Sequence, residues 1–428
     1  MTGRRQEAIY DLPLRQFGTD CHWHVQSLAD AAFVMGGGTP DTGIAEFWNP
    51  PEIPWATPTD ITGTQGNEIR TTERSISEAG LKQSTLVPSN SVLMTSRATI
   101  GVAKINRVPM AINQGFAALC PKEGYSTEYL FHLLDVLRPT LLRLGAGTTF
   151  LEASRREIRK VRLRMPDTNE QQRIAAALKL ADDAIVRANV EWQAARKLKS
   201  ALLSELLQTG LPGKHAKIVQ SKKLKHPKGW TVAKLGKCGE WTAGGTPDRA
   251  TKSFYEGSIP WVKSGEVNYC VVTETEEHLS EEGVSQTTCG VLPAGTLLIA
   301  MYGAGVTRGK VALLGIPAST NQAVAAFNGH AGIENEFVYY WFELNYQRVR
   351  SWAAGSNQDN LSGFLLKGLP IALPDHDEQM QIVKILKASD SAISALSEKI
   401  EALETVKRSL VQNLLTGKLR LPQDTAHA

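Results

Sequence analysis

The sequence predicts an α+β fold: two duplicated domains separated by an antiparallel coiled coil of two long helices, in a pseudo-two-fold arrangement. Three features predict it. Nearly the whole chain of 428 residues is repeated, each copy holds β-type runs around one helical stretch, and each copy closes on a long heptad-spaced apolar seam.

The duplication is plain in short motifs. Trp23-His24-Val25-Gln26-Ser27-Leu28 returns as Trp230-Thr231-Val232-Ala233-Lys234-Leu235, and Gly37-Gly38-Thr39-Pro40-Asp41 as Gly244-Gly245-Thr246-Pro247-Asp248. Asn113-Gln114, Glu170-Gln171 and Thr209-Gly210 return as Asn321-Gln322, Glu378-Gln379 and Thr416-Gly417. A repeat of this length is a duplicated domain, not a solenoid of small stacking units. Two similar modules on one chain suit a target with two similar halves.

The division expected is a first domain at 1–166, a helix at 167–210, a basic linker at 211–229, a second domain at 230–374, a second helix at 375–417 and a tail at 418–428. Within the domains Ser91–Thr95 and Thr296–Ala300 read as equivalent strands, as do Gly101–Ile105 and Gly309–Leu313 and the apolar runs after Asn113-Gln114 and Asn321-Gln322. A helix is expected after Ser126-Thr127-Glu128 and another after Glu334-Asn335-Glu336.

The long helices are the most explicit elements. Asp167 and Asp375 stand as N-caps ahead of an acidic first turn, and Gly210 and Gly417 stand where a left-handed residue ends a helix. Between them apolar positions step by four and three: Ile174, Leu178, Ala181, Ile185, Ala188, Trp192, Ala195, Lys199, Leu202, Leu206, and then Ile382, Leu386, Ser389, Ile393, Leu396, Ile400, Leu403, Lys407, Leu410, Leu414. Run parallel, the helices would oppose Lys199 to Lys407. Run antiparallel, they set Lys199 over Ser389 and Lys407 over Ala181, where each lysine stem can lie on a small residue and lift its ammonium into water. The antiparallel pair is therefore expected. A helix of about 40 residues is roughly 60 Å long, so the domains are expected at opposite ends of a spacer.

Composition bounds the class. Hydrophobic residues make up 42% and charged residues 21%, as in a globular protein. There is no apolar run long enough for a membrane span and no signal-peptide core near the start, and the five cysteines form no CxxC, so a cytoplasmic protein without a membrane role is expected. The net charge is +4, and Lys214 to Lys228 concentrates six basic residues with no acidic one: either a solvated linker or a connector beside a polyanion.

Catalytic motifs are missing. Asn49-Pro50-Pro51-Glu52 imitates the Asn-Pro-Pro-aromatic motif of DNA amino-methyltransferases, but Glu52 stands where a ring must stack on the flipped base. Its match in the second copy, Tyr255-Glu256-Gly257-Ser258, has no motif, so a turn before a strand is expected. Gly303 to Lys310 has the wrong spacing for a P-loop and Val311 where a magnesium-holding hydroxyl belongs, and Gly36-Gly37-Gly38 lacks the dinucleotide spacing. Cys21-His22-Trp23-His24 has no second ligand pair, so no metal site is expected.

Taken together, Gly-Gly-Thr-Pro-Asp in both copies, Ile53-Pro54-Trp55 and Ile259-Pro260-Trp261, Thr307-Arg308-Gly309-Lys310-Val311, the Pro-Asp-x-x-Glu-Gln that opens each long helix, and the ending Leu414-Leu415-Thr416-Gly417-Lys418-Leu419 resemble the specificity (S) subunits of Type I restriction-modification systems over essentially the whole chain. The resemblance implies two target-recognition domains, each reading one half of a split, asymmetric double-stranded DNA site, with the helices setting the spacing. It implies no catalysis and no cofactor on this chain. Two methyltransferase (M) subunits would dock on it and use S-adenosylmethionine, and restriction (R) subunits, where present, would use ATP and Mg. The competing readings are a stand-alone DNA adenine methyltransferase, which the missing motifs disfavour, and a structural dimeriser.

For DNA contact, long polar side chains on loops are wanted. Arg97, Thr99, Lys104 and Thr148 fit in the first copy, and Lys263, Tyr302, Thr307, Arg308, Lys310, Asn357 and Gln358 in the second. The copies differ here: Arg308-Gly309-Lys310 matches Ile100-Gly101-Val102, with Lys104 displaced. Arg155 to Arg164 holds six basic residues in ten, so Arg156, Arg159 and Arg162 are expected to grip the duplex backbone. Leu180, Val186, Val190, Leu203, Leu207, Val383, Val406, Val411 and Leu415 lie off the seam and either pack on the chain's own domains or receive partner subunits.

Overall fold

The computed structural model describes residues 9–18, 21–146, 151–221, 224–288, 290–303, 306–353 and 360–422. It forms two compact units, one of residues 1–190 with 397–428 and one of residues 191–396.

In the first unit a five-stranded sheet runs in the order Ala32–Met35, Phe116–Pro121, Ser91–Thr95, Ala103–Asn106, Glu68–Ile69. The first four strands are antiparallel and the last is parallel to its neighbour. Strand residues alternate between faces, so this sheet feeds two cores. Val92, Met94, Ala117 and Leu119 pack with Tyr129, Leu130, Leu133, Leu137 and Leu141 of the helix Thr127–Gly145. Leu93, Phe116 and Ala118 pack the other way, with Ala56, Ile61, Met110 and Ile112. Three of those four belong to a second sheet and its parallel centre, ordered Arg74–Ile76, Ile53–Ala56, Met110–Ile112, Thr85–Val87.

The second unit repeats the plan. Its five-stranded sheet is ordered Gly239–Ala243, Val324–Gly329, Leu297–Ala300, Val311–Leu314, Val271–Val272. Leu297, Ile299 and Phe327 meet Phe337, Val338, Trp341 and Phe342 of the helix Asn335–Leu344, while Leu298, Ala300 and Ala326 face a second core. The second sheet keeps three strands, Glu277–Leu279, Ile259–Val262 and Ser319–Thr320. The α+β duplication read from the motifs is thus a duplication of fold.

The expected strands are present with shifted starts. Gly101 and Gly309 sit at φ +85° and +86° and close turns onto Thr95 and Ala300, so the strands after them begin at Ala103 and Val311. Ser126 caps the first domain helix by accepting from the Tyr129 N–H. Asn49-Pro50-Pro51-Glu52 leads into the strand Ile53–Ala56, a turn before a strand.

The long helices span Thr168–Thr209 and His376–Leu414, each begun by an Asp carboxylate at 2.8 Å from the N–H three residues on. Gly210 and Gly417 follow at φ +75° and +66°. The recurring Glu-Gln has a buried role at each start. Gln171 accepts from the Ser126 N–H and donates to the Pro166 carbonyl, both at 3.0 Å, tying the long helix to the cap of the domain helix. Gln379 does the same with Glu334 and Pro374. Glu170 accepts from the Trp23 indole and from Arg420; Glu378 accepts from His215, Lys214 and the Leu211 N–H.

Each unit shows the helices antiparallel. Ile174 and Leu178, early in the first helix, share a core with Leu414 and Leu415 at the end of the second. Leu203, Leu206 and Leu207 share the other core with Ile382 and Leu386. The seam lysines behave differently from expectation, however. Their ammonium groups are not lifted into water. Lys199, with a side chain 13% exposed, lies 2.6 Å from Asp390 and 2.7 Å from Glu343, and Lys407 lies 2.6 Å from Asp182. A cation largely stripped of water requires a counter-charge, and the helices supply it one residue past the small residues opposite.

The basic linker is ordered where described. Ile218–Ser221 pairs antiparallel with Leu224–Pro227, and Lys214 is held by Asp375 and Glu378.

Candidate nucleic-acid interface

In each unit the same loops converge beyond one end of the central strands. The first glycine pair allows it: a Cβ on Gly37 would sit 1.8 Å from the Ile112 carbonyl oxygen, and one on Gly244 2.0 Å from that of Thr320. Only glycine permits so close a backbone approach. Gly38 and Gly245 then donate to those carbonyls at 3.0 and 2.9 Å. Thr39 hydrogen-bonds Gln114, and Thr246 hydrogen-bonds Gln322, so the two repeated motifs meet as exposed pairs. Asn113 and Asn321 instead satisfy local backbone, accepting from Gly115 and Ala323.

The loop after the central strand joins the same place. Ser96 donates to Gly115, and Ala98 to Leu151; in the second unit Met301 donates to Ala323, and Leu361 to Met301. Arg97 and Thr99 are exposed here, Arg97 in an ion pair with Glu152 at 3.0 Å. Tyr302 is 39% exposed, and Thr307 and Arg308 are half-buried. Arg97 and Tyr302 therefore directly follow strand ends bonded to the repeated loops of their own units, and Thr99, Thr307 and Arg308 lie further along the same tips, where Arg350 donates to the Arg308 carbonyl. Thr148, Asn357 and Gln358 lie outside the described residues.

Other expected contacts are placed elsewhere or are already engaged. Lys104 is not on the loop but on the strand Ala103–Asn106, its ammonium on the Gly66 carbonyl, and burial lowers its pKa. Lys310 donates to Asn268 at 2.7 Å. Lys263 pairs with Glu276 and Glu277 at 2.7 and 3.0 Å, bonds that raise its pKa. Arg159 donates to the Val34 carbonyl at 2.7 Å, and Arg162 lies 3.3 Å from Asp11. Arg156 is exposed on the short helix Arg155–Arg159.

Sequence reasoning missed an aromatic pair beside the glycine loop. Trp55 and Trp261 donate their indole N–H to the Gly38 and Gly245 carbonyls, each at 3.1 Å. Trp48 meets Trp55 edge-on at 5.2 Å, and Tyr255 meets Trp261 at 5.9 Å. A guanidinium covers each pair. Arg74 lies 3.7 Å from the Trp48 centroid and 5.4 Å from that of Trp55; Arg249 lies 4.4 Å from Tyr255 and 5.0 Å from Trp261. The recurrence of Trp48 as Tyr255, in step with the glycine motif, was the available signal.

Among the off-seam apolar residues, Leu180, Val186, Val190 and Val406 are exposed, at 67, 48, 62 and 53%. Val411 is partly buried against the first core. Leu203, Leu207, Val383 and Leu415 are not docking residues: they are buried in their own units' cores, at 6, 5, 6 and 0% exposure. Leu198, overlooked in the sequence, is 59% exposed at the position that recurs as Val406.

No helix among the described residues is long and apolar enough to cross a membrane. Cys21 is buried in the first core.

The fold defines a duplicated two-domain α+β protein with unlike loops in its two copies, and comparison gives its family. The model of the Type I restriction modification DNA specificity domain matches residues 22–190 and 227–405, and the chain belongs to that family, whose subunits confer specificity and do not catalyse. The Type I restriction enzyme MjaIX specificity subunit of Methanocaldococcus jannaschii is 24% identical over 408 residues, covering 94% of each chain. The EcoR124I/EcoR124II specificity subunit of Escherichia coli is 28% identical over 174 residues, covering 38% of this chain and 42% of its own. The solved S subunit from M. genitalium has the same fold, with a TM-score of 0.59 at 12% identity over 95% of this chain and 98% of its own.

Proposed function

We propose that this chain binds a bipartite, asymmetric double-stranded DNA site, with residues 1–166 reading one half and 230–374 the other, and that it docks two methyltransferase subunits. The observation that carries the reading is a pair of equal scaffolds bearing unequal loop tips: Arg97 and Thr99 in one, Tyr302, Thr307 and Arg308 in the other. Equal scaffolds give both halves one docking geometry, and unequal tips let them prefer different bases. The antiparallel helices act as the spacer.

The partners would supply the chemistry: S-adenosylmethionine on the methyltransferase subunits, and ATP and Mg on restriction subunits where these join. A cytoplasmic location accords with that role. Leu180, Val186, Val190 and Val406, with Leu198 beside them in exposure, are apolar positions offered to partners.

Selection from randomised duplexes by the chain with its methyltransferase partner tests the reading. A two-part motif with one fixed spacing supports it; selection of no motif defeats it. Incubating the chain alone with labelled S-adenosylmethionine and the selected duplex tests the rival, since methyl transfer without a partner would establish a stand-alone enzyme.

A further inference from the structure

We propose that the stacked guanidinium, Arg74 in the first domain and Arg249 in the second, is a DNA-backbone contact common to both half-sites. The proposal rests on the reading that both domains bind duplex DNA.

The two arginines do not occupy matching positions. Arg74 stands on the strand beside Trp55 and faces it in register. At that register place, opposite Trp261, the second domain has Glu277. Its guanidinium comes instead from Arg249, directly after Gly244-Gly245-Thr246-Pro247-Asp248, where the first copy has Thr42. Yet both cover equivalent rings beside the same glycine loop, within 3.7 to 5.4 Å of the four centroids. One place lacks the arginine, another supplies it, and a guanidinium lies over the rings in both.

Packing does not require this. Arg74 and Arg249 are both exposed, and an exposed cation over a ring adds little to stability. What the rings do is restrain: each guanidinium carbon is held 3.7 to 5.4 Å from two ring centroids, and a guanidinium has N–H groups enough to meet an oxyanion bidentately. The Thr39–Gln114 and Thr246–Gln322 pairs border the same loops. Those loops are alike in the two domains, whereas the tips at 96–101 and 302–308 are not. A feature shared by two unlike readers fits what two unlike half-sites share, the phosphodiester backbone, and not a base.

The two sites differ in readiness. Among the described residues no carboxylate pairs with Arg74. Arg249 is held by Glu277 at 2.5 Å, and Lys263 shares that carboxylate. Arg249 must leave Glu277 to meet a phosphate, so the first domain contributes more of the contact.

The test uses the full chain with its methyltransferase partner, titrated at several salt concentrations against a selected duplex and a scrambled duplex of equal length. Arg74→Ala is expected to weaken both by the same factor, about tenfold, and to reduce the slope of log K against log salt by about 0.9. Arg74→Lys should keep most of the slope, which separates lost charge from lost folding. Arg249→Ala should weaken both duplexes less than Arg74→Ala does, and Glu277→Gln should tighten both. A loss confined to the selected duplex overturns the assignment, as that marks a base contact. So do unchanged slopes in Arg74→Ala and Glu277→Gln while the wild type still selects a motif. A wild-type complex with no selectivity would bring down the DNA-reading role itself.

Discussion

Lys407 lies 2.6 Å from Asp182, and the duplicated fold sets Lys199 at the same 2.6 Å from Asp390. Each pair sits where a domain helix meets the coil, but the surroundings differ. In the second unit Tyr340 donates to Asp390 at 2.7 Å and Glu343 adds a second carboxylate to Lys199. In the first, Asn67 donates to Asp182 at 2.6 Å and His132 stands 3.8 Å away. Removing one partner leaves a charge with little water and no counter-ion. Lys407→Met is therefore expected to cost about 2–3 kcal/mol in urea unfolding of the full chain, and Lys407→Met with Asp182→Leu to cost less than the single change. Equal or larger loss in the double variant would disprove the pairing.

His132 gives that junction a pH dependence. Burial pushes its pKa down from 6.5 to about 4; the Asp182 charge works against this shift, Lys407 supports it and Glu128 opposes it. The unfolded chain therefore takes up a proton before the folded one does. The sign follows: His132 costs nothing above pH 6.5, and stability is lost as the pH falls from 6.5 towards 4. Burial raises the pKa of Asp135 nearby, which has the opposite slope, so the wild type must be compared with His132→Gln. Thermal melts across this range should show a shallower acid loss in the variant.

The glycine loops are predicted to be intolerant of a single methyl group. Gly37→Ala or Gly244→Ala drives a Cβ into a carbonyl oxygen, which the sheet can relieve only by opening the loop. A destabilisation of about 2 kcal/mol or more is expected, with loss of DNA binding by that domain. Gly63→Ala, with open space around the Cβ, serves as the control and should be neutral within about 0.5 kcal/mol.

Exposed and buried apolar residues on the long helices should separate cleanly. Leu180→Asp and Val406→Asp are expected to leave the melting temperature within a few degrees and to weaken capture of the methyltransferase subunit. Leu207→Asp, at a side chain 5% exposed, should unfold the second unit. Co-purification alongside circular dichroism reads both outcomes. Wild-type partner binding by both exposed variants would remove this surface from the docking assignment.

The basic run after Arg155 should divide by what each arginine already holds. Arg159→Ala removes a donor to the Val34 carbonyl and should cost stability of about 1 kcal/mol. Arg156→Ala should leave stability alone and flatten the salt dependence of DNA binding by about 0.9. An unchanged slope would place Arg156 off the duplex.

Periodic and paired features were readable before any coordinates. The seam of the long helices, their Asp caps and terminal glycines depend on local spacing, and the lysine exceptions selected the antiparallel pairing. The duplication let each strand of one copy vouch for its match in the other. Ion pairing was not readable, because Asp182 and Asp390 reveal their task only once a second helix is laid beside them. The same holds for Lys104 and Lys263, whose partners Gly66 and Glu277 come from other strands and loops. Leu203, Leu207, Val383 and Leu415 looked like surplus apolar surface because a helical wheel cannot show which faces a domain covers. The arginine over the aromatic pair escaped notice because its two copies sit at unmatched positions.

The repeat and the compact unit are out of phase. The duplicated sequence ends at Gly210, but the compact unit built on the first copy ends at Val190 and borrows residues 397–428 from the second. Leu414 and Leu415 lie in the first core, and Leu203 and Leu206 lie in the other. A fragment cut at the repeat boundary would leave Ile174 and Leu178 without their cover, so neither copy is self-sufficient. The gene segment that was doubled is therefore not the piece that packs as one, and recombination that exchanges a whole copy must also exchange, or match, half of its neighbour's foundation.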